Sequence, residues 1–108
     1  RIYEGSNYLE MQINTPPSYA AAKAGLIGLT RYFAARWGPA GIRVNAIAPG
    51  GVESGQNQTF TQRYGARVPM GRMGRTDEMV GVVVWLASDA ASYVTGQIIS
   101  VDGGLTAW

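Results

Sequence analysis

Apolar residues recur at helical spacing between Pro17 and Trp37 and predict a long helix, which Gly38 and Pro39 end. The core stripe expected on one face of this helix comprises Ala22, Leu26, Leu29 and Phe33. Trp37 and Trp85 are expected in the same core. A second face of small residues comprises Ala21, Gly25 and Gly28. Because interior glycines weaken a helix, this face suggests close packing of another backbone, with a merely tolerated weak spot as the alternative.

The β-branched run from Ile42 to Ala48 predicts a strand, which the Pro49–Gly50 turn ends. A long irregular segment follows, from Gly51 to Arg75, with a short helix expected around residues 59–64. Loops of this length inside compact domains are often lids or binding loops.

The segment from Val80 to Leu86 has the composition of a strand, but its start favours a helix. Thr76 can serve as the N-cap, and Asp77 and Glu78 suit a first helical turn. Residues 97–101 then predict a second strand, which the turn Asp102-Gly103-Gly104 ends. The alternation of helices and strands predicts a parallel α/β sheet.

The composition is that of one packed domain. The 108 residues are 46% apolar and 15% charged. The net charge of +2 comes from scattered arginines, so no basic stripe for nucleic acid is visible. The longest apolar run is too short for a membrane span, and no targeting motif is present, so we expect a cytoplasmic protein with no membrane partner.

The chain contains no cysteine and no histidine. It therefore has no disulfide framework, and no metal site is expected, because zinc sites usually need these residues. Acid/base chemistry near neutral pH must then use tyrosine, lysine or a carboxylate.

Tyr19 and Lys23, the only lysine, lie four residues apart in the predicted helix. At this spacing two side chains share a face, and a nearby ammonium favours the phenolate and so lowers the pKa of a tyrosine. Such a pair also occurs often by chance, so its surroundings decide its meaning.

Four segments in order carry a resemblance. They are Tyr19-Ala20-Ala21-Ala22-Lys23, residues 42–50 (IRVNAIAPG), residues 89–96 (DAASYVTG) and residues 99–104 (ISVDGG). Together they resemble the C-terminal half of the short-chain dehydrogenase/reductase family. The resemblance implies an α/β fold, the C-terminal part of a Rossmann-type doubly wound parallel sheet that is incomplete in this chain. It also implies hydride transfer between NAD or NADP and a small-molecule alcohol or carbonyl substrate.

The resemblance also implies roles for single residues. Tyr19 matches the catalytic acid/base, and Lys23 matches the lysine that lowers its pKa and binds the nicotinamide ribose. Pro49, Gly50 and Val52 match the turn that holds the nicotinamide, and Ser54 takes the usual place of a threonine whose hydroxyl contacts the cofactor. Thr95, Gly96 and the Asp102-Gly103-Gly104 turn are expected to be structural.

Other features of the family do not appear in this sequence. The glycine-rich phosphate-binding turn and the asparagine before the catalytic serine are absent. Ser6 does not follow a buried strand, so we expect the catalytic serine upstream of residue 1. Residues 1–16 are interpreted as an insertion-like loop, and residues 17–108 as the part from the catalytic helix to the last strand.

Two interpretations of the whole chain follow. In the first it is a fragment of an NAD(P)-dependent oxidoreductase that is nearly inert alone. In the second it is a non-catalytic half-domain that self-associates. Both predict a homo-oligomer, because two strands do not make a stable open sheet. A further hypothesis concerns four arginines of the loop, which could bind a phosphate or carboxylate group of the substrate: Arg63, Arg67, Arg72 and Arg75. The alternative is that they are solvated and that some pair with Asp77 or Glu78.

Overall fold

The computed structural model describes residues 17–108, which fold as helices around a small parallel sheet. The elements in chain order are α1 (Pro17–Trp37), β1 (Ala46–Pro49), α2 (Gln58–Gly65), α3 (Thr76–Ala87) and β2 (Ile98–Val101). Short 3-10 turns occupy Gly38–Ala40, Asp89–Ala91 and Leu105–Ala107. The predicted order of helices and strands is confirmed.

Helix α1 has the bounds that the sequence predicts. It ends where Gly38 and Pro39 start a 3-10 turn, because proline cannot continue an α-helical ladder. Gly41 then adopts a left-handed conformation with φ of 80° and donates its amide to Gly38 O at 2.9 Å. This reversal directs the chain toward β1.

Strands β1 and β2 pair in parallel, with Ala46 opposite Ile98 and Pro49 opposite Val101. The predicted start of the first strand at Ile42 is wrong, since the regular ladder begins only at Ala46. Before it, the Val44 amide donates to the Thr95 hydroxyl at 3.0 Å rather than to a backbone carbonyl. A side chain thus takes the place of one backbone acceptor at this end of the sheet, while the Gly96 amide still donates to Val44 O at 2.7 Å.

Two polar side chains fasten the start of β1 to the segment that precedes β2. Asn45 donates through Nδ2 to Val94 O at 2.9 Å and accepts the Gln97 amide through Oδ1 at 3.0 Å. The Arg43 guanidinium donates to Val94 O and to Ser88 O, both at 3.2 Å. These bonds join residues about fifty positions apart and fix the register of the two strands.

Helix α2 begins after Asn57, whose Oδ1 accepts the Phe60 amide at 2.8 Å. Helix α3 has the predicted helical structure, but the prediction of Thr76 as its cap is wrong. Arg75 is the N-cap, and Thr76 is the first residue of the helix. The Glu78 carboxylate satisfies the Arg75 amide at 2.8 Å, so the acid predicted in the first turn does the capping.

The described core is small. Its buried apolar residues are Ala34, Val68, Met73 and Ala91, and Thr30 is buried beside them. The predicted stripe on α1 is wrong, because Leu26 and Leu29 are 60% and 53% exposed and only Phe33 is half-buried. Trp37 and Trp85 are also exposed rather than in the core. No layer formed by residues 17–108 covers these faces of α1 and α3.

The small-residue face of α1 does not meet another backbone within the described part of the chain. A Cβ added at Gly25 or Gly28 would have no neighbour within 4 Å. The close approach to α1 occurs instead at Gly96, where an added Cβ would lie 3.3 Å from the side-chain Cβ of Ala34. The buried side of α1 therefore packs through Ala34.

Candidate functional site

The first turns of α1 carry the Tyr19 and Lys23 pair. Lys23 Nζ lies 5.8 Å from the centroid of the Tyr19 ring. This separation is within the range of a cation–π contact, so both side chains share one face of the helix. Tyr19 is 46% exposed, so this face of the helix is open to solvent at its first turns.

The turn after β1 depends on a glycine at its first position. Gly50 donates its amide to Val101 O at 3.0 Å, so the end of β2 lies directly against it. A Cβ at Gly50 would come within 2.8 Å of Asp102 Cβ and 3.0 Å of Asp102 Cα. Only glycine allows this approach of two backbones. The predicted site residue Pro49 is the exposed last residue of β1.

Val52 forms an isolated parallel bridge with Gly74. The Gly74 amide donates to Gly51 O at 2.8 Å, and the Glu53 amide donates to Gly74 O at 2.9 Å. In a parallel bridge of this kind, the flanking groups face the partner and the N–H and C=O of the bridge residue face away from it. Val52 therefore presents a backbone donor and acceptor on the side opposite Gly74.

The Val52 amide donates to no acceptor within residues 17–108, whereas its carbonyl accepts Gln56 Nε2 at 3.1 Å. The amide and the second lone pair of the carbonyl can thus hydrogen-bond a ligand. A primary carboxamide, with one acceptor and one donor group, suits this pair.

Ser54 lies in the exposed bend that follows. Its amide donates to Gln56 Oε1 at 2.7 Å, and Gln56 in turn binds Val52 O. Ser54 is thus on the same short segment as Val52, with its backbone fixed and its side chain at the surface.

Tyr64 of α2 also holds the turn, through a contact that the sequence did not predict. Its hydroxyl oxygen accepts the Gly51 amide at 2.5 Å. The ring lies flat against Gly51, where an added Cβ would come within 2.5 to 2.9 Å of three ring carbons. The paired glycines 50 and 51 were the available signal, because adjacent glycines mark close approach to a backbone.

Asp102 organises the turn after β2. Burial raises the pKa of its carboxyl group, but hydrogen bonds from the Thr106 hydroxyl and from the Gly104 and Thr106 amides outweigh burial and lower the pKa overall. The carboxylate is occupied by these bonds at 2.8 to 3.2 Å. This turn thus has a local structural role. The Thr95 hydroxyl accepts the Val44 amide at 3.0 Å, and the Gly96 amide donates to Val44 O at 2.7 Å, so both residues join the segments that precede the two strands.

Arg72 and Arg75 of the loop are paired with carboxylates. Arg72 binds both oxygens of Glu78, at 2.9 and 2.8 Å. Arg75 binds both oxygens of Asp77, at 3.1 and 3.3 Å. The hydrogen bonds and charges of these partners raise the pKa of both arginines. For Arg72 and Arg75, therefore, pairing with Asp77 and Glu78 is the arrangement found.

The two parts of the predicted site are not bonded to each other. Within residues 17–108, no hydrogen bond joins Tyr19 or Lys23 to residues 49–54.

The same part of the chain holds no group of three acidic, histidine or cysteine side chains that could bind a metal ion. It also has no helix of the length and apolarity that a bilayer crossing requires.

The sequence is similar to a known protein family and to several of its members. The sequence model of the family described as enoyl-(acyl carrier protein) reductase matches residues 5–106. A 3-oxoacyl-(acyl-carrier-protein) reductase of Thermotoga maritima is 45% identical over 92 residues, covering 82% of this chain and 37% of that protein. The galactitol 2-dehydrogenase (L-tagatose-forming) of Cereibacter sphaeroides is 44% identical over 97 residues, covering 84% of this chain and 38% of that protein. The chain thus spans less than two-fifths of these relatives.

Solved structures agree. A short-chain dehydrogenase from Leptospira borgpetersenii with bound NAD⁺ superposes with a TM-score of 0.79 at 47% identity, covering 86% of this chain and 37% of that one. The TT0495 protein of Thermus thermophilus gives a TM-score of 0.76 at 44% identity, covering 85% of this chain and 41% of that one. The family match over most of the sequence and these superpositions show that the chain belongs to the short-chain dehydrogenase/reductase family.

Proposed function

We propose that this chain contributes the acid/base pair and the nicotinamide turn of an NAD(P)-dependent oxidoreductase that interconverts an alcohol and a carbonyl compound. The observation that carries the proposal is the placement of Lys23 Nζ 5.8 Å from the Tyr19 ring on an accessible face of α1. A bound nicotinamide cofactor would supply or accept the hydride at the substrate carbon.

Tyr19 is proposed as the proton donor and acceptor at the substrate oxygen. In carbonyl reduction its O–H bond breaks and the proton passes to that oxygen, and alcohol oxidation reverses the transfer. Lys23 lies beside the ring, with Nζ 5.8 Å from its centroid, and is proposed to stabilise negative charge on the phenolic oxygen as the proton leaves. The ammonium can also donate a hydrogen bond to a ribose hydroxyl.

The turn after β1 is proposed to orient the nicotinamide. The Val52 amide and carbonyl face away from Gly74 and match the carboxamide of the ring. Pro49 and Gly50 form the backbone surface beside it, and the exposed Ser54 hydroxyl is proposed to contact the cofactor. NAD and NADP share the nicotinamide end, so either fits these residues.

We further propose that the chain corresponds to the C-terminal part of the Rossmann-type sheet and is nearly inert alone. The motifs from Tyr19 to Gly104 support this, as does the span of less than two-fifths of the relatives. The sequence has no glycine turn of the G-x-G-x-x-G kind between a strand and a helix, which is the usual binding site for the cofactor phosphates.

The test compares the 108-residue chain with a chimera in which it follows the N-terminal part of the Leptospira dehydrogenase. NADH fluorescence is titrated for both, and turnover is measured with 3-oxoacyl thioesters and with polyols. The chimera is expected to bind NADH and to turn over, and the isolated chain is not. Micromolar binding of NADH by the isolated chain would contradict the proposed division of the cofactor site.

The catalytic assignment is tested in the same chimera with Tyr19→Phe. Loss of the phenolic proton is expected to lower kcat by at least about a hundredfold, the usual contribution of a general acid. Tyr32→Phe is the matched control, because it removes an exposed phenol from the same helix. Equal activity of both variants would exclude Tyr19 as the acid/base.

A second candidate function is a non-catalytic, self-associating module. The exposed apolar faces favour it, since Leu26 on α1 and Val84 on α3 are 60% and 61% exposed. Faces of this kind need a cover, and a second copy of the chain can provide it. A chimera that binds no NADH, together with a stable oligomer of the isolated chain, would favour this candidate.

A further inference from the structure

We propose that Tyr64 is a positioning residue that holds the nicotinamide turn through the Gly51 amide, an inference that rests on the proposed function of the turn. Tyr64 contacts neither Tyr19 nor Lys23 in any hydrogen bond or ring contact of residues 17–108. Its effect on the reaction is therefore exerted through the backbone of residues 50–52.

The contact is a hydrogen bond combined with a flat ring approach. The Gly51 amide donates to the Tyr64 hydroxyl oxygen at 2.5 Å, and three ring carbons occupy the space of a Gly51 side chain. The same hydroxyl oxygen would lie 3.2 Å from a Cβ at Gly50. Tyr64 thus covers both glycines of the turn.

The bond fixes the peptide that precedes the one carrying the Val52 amide. Gly51 is held on one side by Tyr64, through its amide, and on the other by Gly74, whose amide donates to Gly51 O at 2.8 Å. The carbonyl of Gly51 and the amide of Val52 belong to one planar trans peptide, so they point in opposite directions. With both peptide planes at Gly51 fixed, the Val52 amide is fixed as well.

A purely structural role for Tyr64 is the alternative. Its ring also lies 6.4 Å from the Phe60 ring, centroid to centroid, as part of α2 packing. Phenylalanine at position 64 keeps this packing and the cover over Gly51 but cannot accept the amide. The substitution Tyr64→Phe therefore separates the two roles.

The experiment measures amide hydrogen exchange in the 108-residue chain by NMR for the wild type, Tyr64→Phe and Tyr93→Phe. Tyr93 is the matched control, because it is fully exposed, at 101%. In Tyr64→Phe we expect Gly51 exchange to accelerate about fivefold, as for loss of one neutral hydrogen bond, and its amide proton to shift upfield. The Ala46 amide, which bonds Gln97 O at 2.9 Å, serves as the reference and should not change.

Unchanged Gly51 exchange, or equal acceleration at Gly51 and Ala46, would overturn the proposal, since the first shows no bond and the second a global effect. The chimera supplies the functional readout. There Tyr64→Phe is expected to raise KM for NADH severalfold while the affinity for ADP-ribose, which lacks the nicotinamide, stays the same. Equal losses for both ligands would also overturn the positioning role.

Failure of the proposed function has a different signature. If the chimera binds no NADH, the nicotinamide assignment fails, while Gly51 exchange in the 108-residue chain still decides whether Tyr64 fixes the turn. If the chimera binds NADH and Tyr64→Phe changes neither KM nor exchange, the proposed function stands and the role of Tyr64 falls.

Discussion

At the residue scale, the glycines at one end of the sheet are fixed by their neighbours. Gly50 lies against Asp102, whereas Gly103 and Gly104 have φ of 65° and 96° and face Val68 and Pro69. Cβ atoms at these two positions would come within 2.8 and 2.9 Å of those side chains. The end of β1 therefore meets Asp102, and the end of β2 meets the loop after α2, in both cases without room for a further side chain.

Gly50→Ala is expected to destabilise the fold by about 1–3 kcal/mol, the usual cost of overpacking, because Asp102 Cα at 3.0 Å belongs to the backbone and cannot rotate away. Gly81→Ala is the matched control. Gly81 lies in α3 with no neighbour within 4 Å of an added Cβ, so alanine should stabilise by about 0.5–1 kcal/mol. Urea denaturation measures both, and a Gly50 variant as stable as the wild type would contradict the packing.

At the element scale, ion pairs fasten the start of α3. Glu78 accepts two bonds from Arg72 and one from the Arg75 amide, and thereby joins the loop before the helix to its first turn. The hydrogen bond from Arg72, then that from the Arg75 amide, lower the pKa of Glu78 from 4.5 to about 2. A depressed pKa means that the folded state binds the proton less tightly than the unfolded state.

The stability that Glu78 contributes should therefore be complete above pH 4.5 and should be lost as the pH falls toward about 2. Glu78→Gln removes the titrating group, so its stability should depend less on pH across this range than that of the wild type. Asp89→Asn is the control, because Asp89 has no ion pair among residues 17–108. Thermal denaturation at several pH values provides the measurement, and identical acid profiles for wild type and Glu78→Gln would refute the linkage.

The hydrophobic periodicity and the turn residues predicted the helices and strands well, but they predicted the tertiary contacts of these elements poorly. The bounds of α1 and the end of β2 follow from local signals, namely Pro39 and the Asp102-Gly103-Gly104 turn. The start of β1 does not follow from a local signal. There the side chains of Asn45 and Thr95 form hydrogen bonds between residues about fifty positions apart, and no local pattern encodes that pairing. The contact of Tyr64 with Gly51 was not predicted for the same reason, since it depends on how the chain folds back after β1.

The predicted site also has one part that local geometry determines and one part that tertiary contacts determine. The spacing of Tyr19 and Lys23 on a helix was enough to place them on one face, since helical geometry is local. The outward direction of the Val52 amide depends on Gly74, which lies beyond the whole of α2. Sequence alone therefore identified which residues to consider, and tertiary contacts determined how the turn presents them.

At the scale of the whole molecule, residues 17–108 bury few apolar side chains, namely those of Ala34, Val68, Met73 and Ala91. On α3, Met79, Val82 and Leu86 are half-buried, and the opposite face exposes Val80, Val83 and Val84. Apolar residues on both sides of a helix are typical of an element covered on both sides.

We therefore expect the 108-residue chain to self-associate, so that sedimentation equilibrium gives a concentration-dependent mass above the 11.5 kDa monomer. Leu29→Glu on α1 and Val84→Glu on α3 should each shift the equilibrium toward monomer, because a carboxylate cannot be buried without a partner. Tyr93→Ser is the control, since Tyr93 is fully exposed and lies on neither helix. A wild-type chain that stays monomeric at every concentration would contradict the expectation. An oligomer insensitive to both glutamates would place the contact on another surface.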